Sequence, residues 1–191
     1  MLATRLGRVY GVAMFSLNRT VALIGMMGAG KSSVGRRLAC RLAVPFCDAD
    51  SEIEIAAGCS IVEIFDRFGE AAFREGERRV ILRLLHSPPH ILATGGGAML
   101  DQVTREQIAK DAISVWLRAP LDVLVARVAR RDTRPLLRRG ERRETMERLL
   151  AEREPFYAQA QLVVDVNDGP HGIAVERIVA GLTSAGVMET A

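Results

Sequence analysis

A glycine-rich stretch near the amino end constrains the fold of this chain more than any other feature. It runs Gly25-Met26-Met27-Gly28-Ala29-Gly30-Lys31-Ser32, with Ser33 following, and it fits the phosphate-loop pattern G-x-x-x-x-G-K-[ST]. The apolar run 21–24 before it is typical of a buried strand, and apolar residues recur at helical spacing over 33–43. Because a glycine backbone and the first turn of a helix bind phosphate, the stretch predicts a nucleoside triphosphate site.

Lysine usage singles out Lys31 within this loop. The chain has only two lysines, Lys31 and Lys110, and all its other basic residues are arginine. A compact ammonium group suits a phosphate loop better than a planar guanidinium group does. We therefore expect Lys31 to bind the β- and γ-phosphates and the Ser32 hydroxyl to bind Mg²⁺.

Length and charge limit the remaining possibilities. With 191 residues the chain has the size of one domain, and its net charge of +3 is only a weak indication of anionic partners. A small anionic substrate accounts for this charge as well as nucleic acid does. The three cysteines form no C-x-x-C pair, which suggests a reducing cytosol. No apolar run approaches the roughly 18 residues of a membrane span.

The first 18 residues differ in composition from the rest. They contain two arginines, no acidic residue and a short apolar run over 12–15. A targeting peptide is one interpretation, but the run is short and no clear cleavage site follows it. A flexible extension, or translation from Met14, fits better. We therefore expect one domain over 19–184, with a tail over 185–191.

Two acidic residues follow the second predicted strand, 45–47. Asp48 and Asp50 stand two apart, so on an extended segment their side chains face the same side. Alone, Asp-x-Asp is usually a solvated turn or a helix cap. In an open α/β sheet, however, ligands gather at the carboxyl ends of the strands, where the phosphate loop also lies. A third strand over 91–93 lacks the terminal aspartate of a Walker B motif, which favours Asp48 as the metal contact.

Helical patterns follow. One covers 51–57, a second begins at a capping box formed by Ser60 and Glu63, and a longer one covers 70–85. The remaining predicted elements are a strand over 113–117, helices over 121–129 and 141–159, a last strand over 162–164 and a closing helix over 173–182.

Charged residues on the helix over 70–85 suggest a paired arginine. Arg74 borders the apolar face, and Glu77 three residues later is placed to orient it. Two prolines at 88–89 stop His86 and His90 from forming a metal-binding pair on one helix. We expect both histidines to be structural.

Two loops carry further signals. Gly95, Gly96 and Gly97 follow the strand 91–93, and three consecutive glycines make sense where the backbone passes very close to a ligand. The arginine-rich segment 134–140 lacks clear periodicity. Because no aromatic residue is interleaved for base stacking, a lid over a triphosphate explains its charge better than a nucleic-acid surface does.

In their order and spacing these motifs resemble those of the shikimate kinase family, small P-loop kinases of the aromatic amino-acid (chorismate) pathway. The resemblance covers nearly all of 20–182. It rests on Gly25–Ser32, Asp48–Asp50, Phe73–Glu77, Gly95–Gly97, Arg134–Leu137 and Arg153–Tyr157. The first 18 residues fall outside it, Phe156 stands where the family often has leucine, and 167–171 matches too loosely for adenine contacts to be assigned.

The resemblance implies an α/β fold of three α/β/α layers, with a five-stranded parallel sheet, a substrate-binding region over about 49–86 and a mobile lid over about 130–142. It implies transfer of the γ-phosphoryl group of MgATP to the 3-hydroxyl of shikimate, with Mg²⁺ as cofactor. ATP and shikimate are then the partners of a cytoplasmic monomer that binds neither nucleic acid nor membrane.

The resemblance also implies a role for each matching residue. Asp50 would hold the substrate hydroxyls and take the proton from the attacking one, with Lys31 and Arg134 as the other catalytic residues. Arg74 and Arg153 would bind the shikimate carboxylate, since a guanidinium group binds a carboxylate bidentately. The other implied contacts are Gly28, Ala29, Gly30, Lys31, Ser32, Ser33, Arg127 and Arg134 with ATP (Arg127 at the adenine), Gly95, Gly96 and Gly97 with the ring hydroxyls, and Ser32 and, through water, Asp48 with the metal. Phe65, Phe73 and Leu136 could line the apolar side of the ring, although core packing also explains both phenylalanines.

Two other classes share part of the pattern. A gluconate kinase or a nucleoside-monophosphate kinase would have the loop and the lid arginines, but no need of three glycines together with Arg74 and Arg153. A nucleotide switch or a nucleic-acid-binding ATPase would have no reason for Asp48 and Asp50. It would also bind nucleic acid with a steep dependence on salt.

Overall fold

Strands and helices alternate along the chain in this computed structural model, which describes residues 15–130 and 142–190. The strands are β1 (Phe15–Leu17), β2 (Thr20–Ile24), β3 (Phe46–Asp48), β4 (Ile91–Ala93), β5 (Ala112–Arg118), β6 (Leu162–Asp165) and β7 (Met188–Thr190). The helices are α1 (Lys31–Leu42), α2 (Ala49–Ala57), α3 (Ile61–Leu85), α4 (Gln102–Asp111), α5 (Leu121–Ala129), α6 (Arg142–Tyr157) and α7 (His171–Ser184), and a 3-10 turn covers Ala98–Leu100.

A five-stranded parallel sheet forms the centre, with the strand order β3-β4-β2-β5-β6. In the middle strand, Val21 lies opposite Ile91 on one side and Ile113 on the other. All of β2 is buried, as expected for a parallel strand covered on both faces. The predicted α/β fold with five parallel strands is therefore confirmed. The strands that follow β2 lie on both sides of it, so a crevice opens at its carboxyl end.

Local sequence explains how the helices begin and bend. The capping box of α3 is present: the Ser60 hydroxyl accepts from the Glu63 N–H at 3.2 Å, and the Glu63 carboxylate accepts from the Ser60 N–H at 2.9 Å. Gly69 leaves helical geometry (φ 79°, ψ 175°), so α3 is two helical stretches that meet at a kink, as the two separate patterns indicated. Within the described residues, no helix is long and apolar enough to cross a membrane.

Three elements were not predicted. The strands β1 and β7 pair antiparallel, with Phe15 opposite Thr190, and so join the two ends of the described chain. Residues 15–17, counted above with the extension, thus belong to a strand. The helix α4 begins after Asp101, whose carboxylate accepts from the Thr104 N–H at 2.8 Å. The proposed lid residues Arg134 and Leu136, like residues 1–14, lie outside the described chain.

Candidate active site

The phosphate loop turns tightly against neighbouring elements. Gly28 and Gly30 have φ angles of 83° and 97°, in the left-handed region that favours glycine. A Cβ atom on Gly28 would also lie 3.0 Å from the carbonyl oxygen of Leu124. This backbone requirement explains why the motif needs glycine where it does. The Ala29 N–H donates to the Met26 carbonyl at 3.1 Å, which closes the turn.

Lys31 begins α1 and folds back over the loop that precedes it. Its side chain is buried, and Nζ donates to the carbonyl oxygens of Gly25 at 2.7 Å and Met26 at 3.1 Å. A buried ammonium group needs such acceptors. The positive charge of Lys31 is therefore held at the phosphate loop.

Asp48 connects the phosphate loop to the next strand. It is the last residue of β3 and caps α2, since Oδ1 accepts from the Asp50 N–H at 3.2 Å. Its Oδ2 accepts from the Ser32 hydroxyl at 2.6 Å. The two side chains for which the sequence predicted metal contacts are therefore in direct contact with each other. Among the described residues, no group of three or more His, Cys, Asp or Glu side chains could enclose a metal. A hydroxyl and one carboxylate fit the chemistry of Mg²⁺, which usually keeps waters and substrate phosphates in its shell and takes few protein ligands.

Two neighbouring cavities adjoin these residues, and the larger of the pair, about 710 Å³, lies over the phosphate loop. The predicted nucleotide residues Gly28, Gly30, Lys31, Ser32, Ser33 and Arg127 line it. Ala29 does not. Its lining also includes Arg37, Thr94 and Arg130, which the sequence did not indicate, and Asp168 to Gly172. The sequence left adenine contacts over 167–171 unassigned, and the structure places 168–171 at this cavity.

The smaller cavity, about 370 Å³, lies between α2, α3 and the loop after β4. Asp50, Arg74, Arg153 and the three glycines Gly95, Gly96 and Gly97 line it, together with Phe65, Phe73 and Glu77. All predicted substrate-binding residues thus meet in one cavity. The residues that sequence reasoning missed are Met27, Ser51, Glu54, Ile61 and Val62.

The two cavities share a wall. Met27, Asp48, Asp50 and Gly96 line both. Asp50 is the second residue of α2 and lies close to the loop after β4, because its Oδ1 is 3.2 Å from where a Cβ on Gly95 would be. A carboxylate in this position reaches a ligand in either cavity.

Arg74 is held by two carboxylates on its own helix. Its Nη1 donates to Glu77 at 2.7 Å and its Nη2 donates to Glu70 at 3.0 Å, so the predicted pairing of Arg74 with Glu77 is confirmed. Glu77 is buried, and this burial raises the pKa of its carboxyl despite the nearby Arg74. Its Oε1 has no hydrogen-bond partner among the described residues.

Arg153 reaches from α6 to the loop after β4, whose residues Gly95–Gly97 form what is called the glycine loop below. It is buried, and its Nη1 donates to the carbonyl oxygen of Gly96 at 3.1 Å. Within the described residues, the N–H groups of Gly95, Gly96 and Gly97 make no backbone hydrogen bond. The loop therefore offers backbone donors to a ligand, while its middle carbonyl is already bound.

Arg127 crosses from α5 to the mouth of the larger cavity. Its Nη1 lies 3.4 Å from the carbonyl oxygens of Gly28 and Ala29, and its Nη2 donates to the Asn167 carbonyl. Asp168 is 3.7 Å from its Nε. The guanidinium group thus joins the phosphate loop to the segment 167–171.

Aromatic side chains form the apolar side of the smaller cavity. The rings of Phe65 and Phe73 lie 4.8 Å apart, and the Arg74 guanidinium carbon is 5.1 Å from the centre of the Phe73 ring. Phe73 is buried and Phe65 is half-buried. The cavity thus has apolar as well as charged walls.

Comparison with known proteins points to one family. A family model described as shikimate kinase matches residues 27–183. A shikimate kinase from Paramagnetospirillum magneticum is 51% identical over 181 residues, which cover 95% of this chain and 93% of the relative. A solved structure, shikimate kinase from Acinetobacter baumannii in complex with shikimate, is 35% identical with a TM-score of 0.84, covering 87% of this chain and 94% of that one.

The rival kinase class fits less well. A gluconokinase from Sinorhizobium meliloti is 21% identical with a TM-score of 0.55, covering 88% of this chain and 94% of that chain, and so shares the fold alone. The family match spans most of the chain, from the phosphate loop to the last helix. The chain belongs to the shikimate kinase family.

Proposed function

We propose that the larger cavity binds ATP, that the smaller cavity binds shikimate, and that Asp50 receives the proton released between them. The chain is an ATP-dependent phosphotransferase that moves the γ-phosphoryl group of ATP to the 3-hydroxyl of shikimate. The single observation that carries the site proposal is the wall shared by the two cavities, which includes Asp50. Phosphoryl transfer requires the two substrates to meet in line at such a wall.

In the larger cavity, the phosphate loop would bind the triphosphate through its backbone and Lys31. The ammonium group now bonds to two loop carbonyls, and phosphate oxygens are stronger acceptors because they carry full charge. Ser33 lies in the same first turn of α1. Arg127 would flank the adenine, since it links the loop to the segment 167–171 at the mouth of the cavity.

Ser32 and Asp48 would hold Mg²⁺ at the phosphates, Ser32 directly and Asp48 through water. Their hydrogen bond of 2.6 Å places both groups at the same point of the loop. When bound there, Mg²⁺ neutralises negative charge on the β- and γ-phosphates.

In the smaller cavity, Arg74 and Arg153 would bind the carboxylate of shikimate. Arg153 is buried, and the Arg74 side chain is 25% exposed. Charge-assisted hydrogen bonds from both guanidinium groups to a carboxylate should therefore be strong. The glycine loop would donate N–H groups to the ring hydroxyls. The apolar face of the ring would pack against Phe65 and Phe73.

Asp50 would bind the reacting hydroxyl and accept its proton as the oxygen attacks phosphorus. It is the carboxylate that lines both cavities without serving as a helix cap, the role that Asp48 has. General-base assistance of this kind contributes about 10²–10⁴-fold to rate. Arg134, from the proposed lid over about 130–142, would stabilise charge on the transferring group.

We further propose that one domain over 19–184, acting as a cytoplasmic monomer, is sufficient for activity. The support for the domain bounds is that the residues lining both cavities fall within 27–172.

The test is Asp50→Asn, assayed by shikimate-dependent release of ADP. We expect turnover to fall by about 10²–10⁴-fold while the dissociation constant for ATP changes less than about twofold. Glu52→Gln is the matched control, because Glu52 lies on the same helix, accepts from Arg83 and lines neither cavity. Near-normal turnover of Asp50→Asn would contradict the assignment of the base.

A further inference from the structure

Tyr157 ends the motif Arg153–Tyr157, yet none of the steps above uses it. The side chain is 1% exposed, and its ring packs against Trp116 with centroids 5.9 Å apart. Its hydroxyl donates to the carbonyl oxygen of Gly96, and the sulfur of Met26 lies 3.7 Å away. A buried hydroxyl thus touches the glycine loop of one cavity and the phosphate loop of the other.

Arg153 contacts the same carbonyl oxygen. It precedes Tyr157 by four residues on α6, so both side chains lie on one face of the helix. Its Nη1 donates to Gly96 at 3.1 Å, while its Nε has no hydrogen-bond partner among the described residues. A carbonyl oxygen has two lone pairs, and here one is available for each donor.

The glycine loop has unusual freedom that these donors remove. Gly96 is flanked by Gly95 and Gly97, so the peptide groups around it can rotate more easily than they could between residues that carry a Cβ atom. Bonds from Tyr157 and Arg153 to one carbonyl fix the orientation of the peptide between Gly96 and Gly97.

The tyrosine stays a donor at all ordinary pH values. Burial is the main cause that raises its pKa to about 12, although the nearby Arg153 acts to lower it. Its proton therefore remains in place for the bond to Gly96.

We propose that the Tyr157 hydroxyl is a positioning group for the acceptor substrate: it fixes the Gly96 carbonyl, which in turn fixes the Arg153 guanidinium for the carboxylate of shikimate. The inference rests on the proposed function of the smaller cavity. Tyr157 touches no reacting atom, so its effect is expected on shikimate binding and not on the chemical step.

The first arm of the test is Tyr157→Phe, which removes the hydroxyl and keeps the ring. Shikimate is titrated without nucleotide by calorimetry, and we expect its dissociation constant to rise about tenfold. The KM for ATP should change less than about twofold, and the melting temperature should fall by no more than about 4 °C.

Phe156→Leu is the matched control. Phe156 is adjacent and aromatic, but its ring lies over Arg105 and lines neither cavity. It should bind shikimate like the unaltered chain. The inference would be overturned if Tyr157→Phe bound shikimate normally, or if it lost affinity for ATP and for shikimate equally.

The second arm is a double-mutant cycle with Arg153→Ala. If Tyr157 acts through Arg153, the double variant binds shikimate no more weakly than Arg153→Ala alone. Additive losses would overturn this route. Normal shikimate binding by Arg153→Ala would overturn the proposed carboxylate site itself. If Arg153→Ala binds shikimate more weakly but Tyr157→Phe binds it normally, only the role of Tyr157 is overturned.

Discussion

The two cavities are built in different ways. In the larger cavity, the proposed phosphate site lies within one contiguous stretch, Gly25–Ser32, which supplies the backbone geometry and the single lysine. The acceptor side takes its polar groups from α2, α3, α6 and the loop after β4. A triphosphate is recognised by a compact anion-binding loop, whereas a small hydroxy acid needs side chains placed at several points around it.

This difference implies that the two sides respond differently to mutation. On the nucleotide side, we expect the single charged side chain of Lys31 to carry a large share of the recognition. On the acceptor side, the charged groups hold one another, as Glu77 holds Arg74, so that indirect changes matter. The variants at Lys31 and Gly97 test this contrast directly, and the pH dependence of stability tests the state of Glu77, which holds Arg74.

The largest effect is expected for Lys31→Ala. Because the ammonium group lies at the phosphate loop, we expect kcat/KM for ATP to fall about 10³-fold, equal to about 4 kcal/mol of transition-state stabilisation. Steady-state kinetics with varied ATP measures this. Lys110→Ala is the control, since the only other lysine lies on α4 outside both cavities. If Lys31→Ala raised only the KM for shikimate, the assignment of ATP to the larger cavity and shikimate to the smaller one would be contradicted.

An intermediate effect is expected for Gly97→Ala on the acceptor side. A Cβ atom there would lie 2.5 Å from Arg74 Nη1, so the guanidinium group must move. We expect the KM for shikimate to rise about tenfold, or about 1.4 kcal/mol, with the KM for ATP little changed.

Gly76→Ala is the matched control for this glycine. A Cβ atom on Gly76 would meet nothing within 4 Å, and the residue lies inside α3. This variant should keep its shikimate KM and gain up to about 1 kcal/mol in the free energy of unfolding. An equal rise in KM for both variants would show that crowding of Arg74 is not the cause.

The smallest effect concerns the pH dependence of stability. Because burial raises the pKa of Glu77, the folded protein holds this proton more tightly than the unfolded chain does. The resulting stabilisation is complete below the ordinary pKa of 4.5 and is lost as pH rises through the folded-state pKa. Urea unfolding should therefore show Glu77→Gln gaining stability relative to the unaltered chain as pH rises.

Glu63→Gln should show the opposite trend. Hydrogen bonds from the Ser60 backbone and hydroxyl lower the pKa of Glu63, so its stabilisation is present above the ordinary pKa and is lost as pH falls. The free energy of unfolding of the unaltered chain should exceed that of this variant by an amount that grows as pH rises. The same trend in both variants would contradict the assigned cause for Glu77.

The sequence by itself indicated the proposed phosphate site, because a phosphate loop is a local structure whose glycines and lysine lie within eight residues. It also determined the parallel sheet, since apolar runs and helical periods alternate along the chain. Pairing within one helix turn, as between Arg74 and Glu77, follows from spacing as well.

Only the tertiary structure decided which residues from distant segments of the chain are in contact. The sequence did not indicate that β1 and β7 pair, because pairing between strands so far apart depends on where the fold places each of them. It did not show that Asp50 lines both cavities, or that Tyr157 and Arg153 share the Gly96 carbonyl. The two bonds to Gly96 join residues 57 and 61 positions apart, and the pair of Phe15 with Thr190 joins residues 175 apart. No local pattern indicates such contacts, because they arise from packing of whole elements.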